Sequence, residues 1–191
     1  MAFEDAIMTI ENKDMRNFAR ELVRTIPPYF FEVPASSTGK YHPMYALGVG
    51  GLYRHTLAVV KFVNYFFEVD CFKNRWDSRG RDIMRIAAIM HDSFKSGTQN
   101  EYEASKYTRH DHPLIAAQNI LKKIGCGTIP DDEIKAIASA VGTHMGAFTT
   151  SPRSATVLPE PKDKTQQMLH LADYLASRKD IEVLFLKQDG N

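Results

Sequence analysis

Four segments of this chain place a histidine or an aspartate where a helical pattern calls for an apolar side chain. In "LYRHTLAVVKFVNYFFEV", His55 falls in step with Leu52, Val59, Phe62, Val63 and Phe66. In "RIAAIMHDSFKSG", His91 shares a face with Met84 and Ala88, and Asp92 stands beside it. His144 continues the stripe of Ile134, Ile137 and Val141, and Asp173 lines up with Leu169 and Ala176 in "TQQMLHLADYLASRK". Taken singly, each has an ordinary explanation: a core histidine bonded to a carbonyl, or an aspartate in a cap or ion pair. Recurrence on separate helices changes the balance, because a buried imidazole or carboxylate is costly unless something pairs with it, and one shared partner serves all of them. A divalent cation is that partner. Imidazole nitrogen and carboxylate oxygen together suit ions such as Mn, Fe, Mg, Ni or Zn without distinguishing among them.

The adjacency of His91 and Asp92 limits the geometry. Neighbours on a helix point roughly 100° apart, so the two side chains cannot share one direction. If His91 binds one ion, the two oxygens of Asp92 can bridge to a second about 3.5–4 Å away, the separation of two-metal hydrolytic sites.

These residues need helices to carry them, and the chain reads as mostly α. One helix is expected from about Phe3 to Ile26, stopped by Pro27 and Pro28. The segments bearing His55 and His91 follow, the latter stopped by Ser96 and Gly97, and "TQNEYEASKYTRHDHP" reads as a long functional loop. A helix from about Pro113 to Ile124 closes at Gly125, and the His144 and Asp173 helices come after it. The tail "IEVLFLKQDGN" alternates briefly, as a short strand or an extended arm does. The 191 residues suit one domain with a sizeable core. Lys+Arg of 24 against Asp+Glu of 23, a formal charge of +1, supplies no field favouring long nucleic acid or an anionic membrane. Cys71 and Cys126 form neither a CxxC pair nor a disulfide framework, and the N-terminal segment has no long apolar core or basic leader, so a cytoplasmic location is expected.

In order, His55, the pair His91-Asp92, His112, His144 and Asp173 resemble the H…HD…H…H…D signature of the HD-domain metal-dependent phosphohydrolase superfamily. The likeness extends to the surrounding blocks: "GGLYRHTLAVV" is similar to that family's GGL-x-x-HT helix, "AAIMHDSFKSG" to its HD-x-x-K segment, "DHPLIAAQNI" to its HP-x-x-[GA] helix and "MLHLADYLASRK" to its closing helix. The blocks run from about Pro34 to near the C-terminus. The resemblance implies an all-α helical bundle with a metal centre between core helices. It implies that His55, His91, Asp92 and Asp173 hold a first ion, that Asp92 bridges, and that His112 and His144 complete a second site. Lys95, one turn after Asp92, is implied as the cation that neutralises a phosphate oxygen.

The same resemblance selects His112 over His110 as the ligand in "RHDHP", leaving His110 as a substrate contact or an exposed loop residue, and Arg109 beside it is a candidate substrate contact to phosphate or base. His42, ahead of the GGL segment, matches a position in exoribonuclease-like members and either reaches the substrate or serves its loop turn. His170 either orients a ligand or packs, and Lys106, Tyr107 and Arg153 are loop residues within reach of phosphate or base. The expected activity is hydrolysis of a phosphate ester, of a nucleotide, cyclic nucleotide or short oligonucleotide, by metal-activated water. The branch most resembled is the HD domain of bacterial exoribonuclease-like proteins, but the chain lacks their added OB module. "THMGAFTTSP" after His144 also lacks the GYP-like extension of the cyclic di-GMP branch. A nucleotide-binding module with a vestigial metal site and a di-iron oxygenase are the competing classes.

Overall fold

The computed structural model describes residues 2–37, 39 and 42–185, and among these it contains eight α-helices and no strand beyond one isolated bridge between Ser151 and Ser154. The helices are α1 (Glu4–Met8), α2 (Lys13–Val23), α3 (Gly51–Glu68), α4 (Ser78–Met90), α5 (Gln99–Ala104), α6 (His112–Leu121), α7 (Asp131–Gly142) and α8 (Lys164–Ala176). Two 3₁₀ turns, Pro28–Phe31 and Met44–Ala46, punctuate the connection from α2 to α3. The all-α expectation holds.

The helices begin where local chemistry supplies acceptors for their free N–H groups. Asp77 accepts from the Gly80 amide at α4, and Asp163 with Gln166 forms a capping box at α8. Three acids, Asp131, Asp132 and Glu133, fill the first turn of α7 and complement its dipole. At α3 the start depends on a close approach: a Cβ on Gly51 would lie 2.3 Å from the Ala46 carbonyl oxygen, so only glycine fits.

The single N-terminal helix expected from Phe3 to Ile26 is two helices. Asn12 caps α2 by accepting from the Asp14 and Met15 amides, and the buried carboxylate of Asp82 accepts from the Glu11 and Asn12 amides at 2.9 Å each. That side chain from α4 outcompetes helical continuity at the break. The polar segment after Gly97 also departs from a plain loop, since Thr98 and Glu101 form a capping box and nucleate α5. The helix bearing His112 stops at Leu121, three residues short of expectation.

Helix α3 packs against α4 and α8, α4 against α7, and α7 against α6 and α8. Leu52, Val59 and Val63 of α3, Ile86 and Ile89 of α4, Ile134, Ile137 and Val141 of α7, and Leu169 of α8 meet in one buried apolar cluster. No helix among the described residues is long and apolar enough to cross a membrane. Residues 181–185 form no strand and lie as an arm, with the Phe185 ring 5.3 Å from that of Tyr45 and the Leu184 carbonyl accepting from Lys61. The rest of the tail lies outside the described residues.

Candidate metal centre

Five elements deliver polar side chains to one buried place. His55 comes from the first turns of α3 and Asp173 from α8, while His112 is the first residue of α6. His91 and Asp92 lie just beyond α4, which ends at Met90 rather than continuing to Ser96. From there the chain tightens: Ser93, Lys95 and Gly97 donate to the carbonyls of Met90, Asp92 and Phe94. His144 likewise sits two residues past α7, its amide donating to the Val141 carbonyl, so the apolar stripe still aims it inward.

The side chains form two groups whose ligand atoms lie within 4.8 Å of one another in each: His55, His91 and Asp173 in one, Asp92, His112 and His144 in the other. Asp92, fully buried, stands between them. Its Oδ1 is 2.9 Å from His112 Nε2 and 3.4 Å from His144 Nε2, and its Oδ2 is 3.5 Å from His91 Nε2 and 3.8 Å from His55 Nε2. Asp173 Oδ1 lies 3.0 Å from His55 Nε2 and 3.8 Å from His91 Nε2. Each oxygen of Asp92 thus faces a different group, the disposition a bridging carboxylate requires.

Tautomers follow from the backbone. The Nδ1 atoms of His91, His112 and His144 lie 2.8, 2.6 and 2.8 Å from the carbonyl oxygens of Ala88, Arg109 and Val141. A carbonyl only accepts, so each Nδ1 carries a proton and each ring turns its Nε2 inward. Burial pushes the imidazolium pKa of His91 and of His112 down to about 4, which keeps both neutral near pH 7. Consequently His112 Nε2 and His144 Nε2 confront each other at 3.2 Å with a carboxylate oxygen beside them. His91 Nε2 and Asp92 Oδ1 are buried without a hydrogen-bond partner among the described residues. Lone pairs converging in a dry interior need a positive charge among them. The donor set, imidazole nitrogen and carboxylate oxygen, fits a divalent ion in either group.

Lys95 supplies one fixed positive charge, its Nζ 2.7 Å from Asp92 Oδ2. Burial alone would push the Asp92 carboxyl up; the Lys95 ammonium overcomes this and holds it well below the usual carboxylate range. Burial acts the same way on Asp173, whose carboxyl the bond to His55 nonetheless brings low.

The remaining sequence-predicted residues divide. His42 is brought to the centre, its ring centroid 5.5 Å from that of His55 and its Nδ1 buried without a partner among the described residues. His110 lines the cavity of about 660 Å³ that opens beside Lys95 and His112, with Nε2 3.1 Å from the Thr149 carbonyl oxygen. Arg109 lines the same cavity, but its guanidinium is already engaged: it grips both oxygens of Asp111, at 2.9 and 2.7 Å, and reaches Glu101. Its backbone amide donates to the Lys95 carbonyl and its own carbonyl receives His112 Nδ1–H, which makes Arg109 a strut of the centre rather than a free anion contact. His170 orients a ligand segment by donating to the His144 carbonyl at 2.9 Å. It lies so close to Gly146 that a Cβ there would fall 2.2 Å from the ring.

Two supports escaped the sequence reading. Tyr29 accepts the Ser96 amide and donates to the Gly97 carbonyl, pinning the turn that carries Asp92 and Lys95. Gly146 is the other, and only its position two residues after His144 distinguished it. Comparison with protein-family models, curated proteins and solved structures finds no match.

Proposed function

We infer that this protein is a metal-dependent phosphohydrolase that cleaves a phosphate ester of the nucleotide class with water. The observation that carries the reading is the pair of His/Asp groups that share Asp92 between them and present unpartnered buried acceptors. Bound there, divalent cations supply Lewis acidity and lower the pKa of water towards neutrality.

The chain's own residues account for the rest of the chemistry. The backbone carbonyls of Ala88, Arg109 and Val141 hold three imidazoles in the tautomer that offers Nε2. Lys95, at the junction of the buried centre and the open cavity, is the cation available to a phosphate oxygen as charge builds during transfer. Arg153 lines the same cavity and has no ion pair among the described residues, so its guanidinium is free for a second anionic oxygen. Burial of Asp92 and of the imidazoles of His55, His91, His112 and His144 keeps bulk water from competing for their lone pairs.

The test is a screen of nucleotides and phosphodiesters with the purified chain loaded with Mn, Fe, Mg, Ni or Zn, beside Asp92→Asn. Phosphate-ester cleavage that chelation abolishes, and that Asp92→Asn lowers on the order of 100-fold or more, is the expected result. Turnover that survives both would overturn the reading. Cleavage under nitrogen excludes the oxygenase class, whereas strict dependence on dioxygen would select it.

A further inference from the structure

Tyr29 is a tyrosine where the core asks only for a ring. It is the second residue of the Pro28–Phe31 turn, "PYFF", is 1% exposed, and stacks on Tyr102 with ring centroids 4.4 Å apart. Phenylalanine, which follows it twice, supplies the same burial without a hydroxyl to desolvate. The hydroxyl is explained by what it meets. It accepts the Ser96 amide at 2.9 Å and donates to the Gly97 carbonyl at 2.7 Å, across 67 and 68 residues of sequence.

The turn after α4 has a gap at that point. The amides of Ser93, Lys95 and Gly97 each donate to the carbonyl three residues back, whereas the buried Ser96 amide donates to no backbone carbonyl among the described residues. Tyr29 fills the gap. The peptide joining Lys95 to Ser96 is therefore bonded on both edges: its carbonyl receives the Arg109 amide at 2.9 Å and its N–H goes to Tyr29. A peptide is planar, so fixing its carbonyl and its N–H fixes the plane. The Lys95 amide is held as well, by the Asp92 carbonyl at 3.0 Å, and with both neighbouring peptides set the side chain leaves the backbone in one direction. The two anchors on the Lys95–Ser96 peptide differ in their own support. Arg109 is gripped independently through Asp111 and Glu101, so the His112 side of the strut persists without Tyr29. Loss of the hydroxyl falls on Lys95, whose long stem has to place an ammonium 2.7 Å from Asp92 Oδ2.

We propose that Tyr29 is a positioning residue for Lys95: its hydroxyl orients the Lys95–Ser96 peptide, and that orientation keeps the ammonium on Asp92 at the edge of the cavity. The kinetic consequence rests on the hydrolase reading above, whereas the placement of the ammonium does not.

The experiment compares the full chain with Tyr29→Phe, which keeps the ring and its stack on Tyr102. In metal-free protein, brief acetylation by acetic anhydride, read by peptide mass spectrometry, reports how often the Lys95 ammonium leaves Asp92. Labelling of Lys95 should rise about 10-fold in Tyr29→Phe, the size expected for the loss of two buried hydrogen bonds. Lys106, exposed on the wall of a cavity of about 380 Å³ that Lys95 also lines, should keep its labelling rate. No rise at Lys95, or an equal rise at Lys106, overturns the proposal. With Mn-loaded protein and bis(4-nitrophenyl) phosphate, Tyr29→Phe should lower kcat about 10-fold with KM little changed, and should lower it less than about twofold when Lys95→Met is already present. Equal losses in the two backgrounds would show that Tyr29 acts apart from Lys95 and overturn the proposal. Should Tyr29→Phe fail to fold, hydrogen exchange in the unaltered chain decides: strong protection of the Ser96 amide supports the bond to Tyr29, and exchange at the free-chain rate overturns it. Lys95 labelling that follows Tyr29, without cleavage of the probe by the unaltered protein, supports the positioning role and counts against the hydrolase reading.

Discussion

At the scale of single residues, Asp92 and Lys95 decide the electrostatics of the centre. The carboxylate is fully buried, the ammonium sits 2.7 Å from one of its oxygens, and the remaining neighbours are imidazoles whose neutral forms offer lone pairs. Removing the ammonium leaves a buried negative charge with no fixed compensation. Lys95→Met should therefore destabilise the metal-free chain by roughly 3 kcal/mol, in the range for breaking a buried pair, as read by urea denaturation. Added divalent metal should raise the melting temperature of this variant more than that of the unaltered protein, because the cation takes over the charge Lys95 supplied. An equal metal-induced rise in the two would show that Lys95 and the ion do not act on the same oxygen. Which residue types face inward was legible here from periodicity alone: His55, His91, His144 and Asp173 each continue an apolar stripe. The engagement of Arg109 was not, because a guanidinium in a polar loop reads the same in sequence whether it faces solvent or two carboxylates.

At the scale of elements, the break between α1 and α2 shows how a distant side chain overrides local pattern. Asp82 accepts from two amides at the break and from Arg85 Nη1 at 3.0 Å, and Arg85 in turn reaches Asn64 of α3 at 2.9 Å. This cluster ties α1 and α2 to the face of α4 remote in sequence from the HD turn. Asp82→Ala should cost about 3–5 kcal/mol of unfolding free energy, because it leaves the Arg85 guanidinium buried without its closest carboxylate. Chemical denaturation would measure the loss, and a change under 1 kcal/mol would mean that the N-terminal helices dock without Asp82. The acids in the first turn of α7 and the capping box of α8 each act within one turn of sequence. The Asp82 contact spans 71 residues to Glu11 and leaves no local trace.

At the scale of the whole molecule, a cation bound at the centre would couple folding to metal. Donor side chains from α3, the turn after α4, α6, the turn after α7, and α8 converge, so an ion held by them would favour only the folded chain. Free metal at 100 times its dissociation constant should stabilise the protein by about 2.7 kcal/mol per site. A thermal melt with and without chelator, with calorimetry for the stoichiometry, would read this. Two ions per chain are expected, falling in Asp92→Asn, and a melting temperature indifferent to chelator would count against the centre.

The sequence by itself determined the all-α class, the helices that would carry the polar residues and the identity of those residues. Helical periodicity reports which side of a segment is buried, and a costly group on that side stands out whatever it meets. Only the tertiary structure decided the partners. It divided the six side chains into two groups, gave each oxygen of Asp92 to a different one and set Lys95 against Asp92. Those outcomes depend on how α3, α4, α6, α7 and α8 pack, and packing is a relation between segments that no stretch of sequence contains.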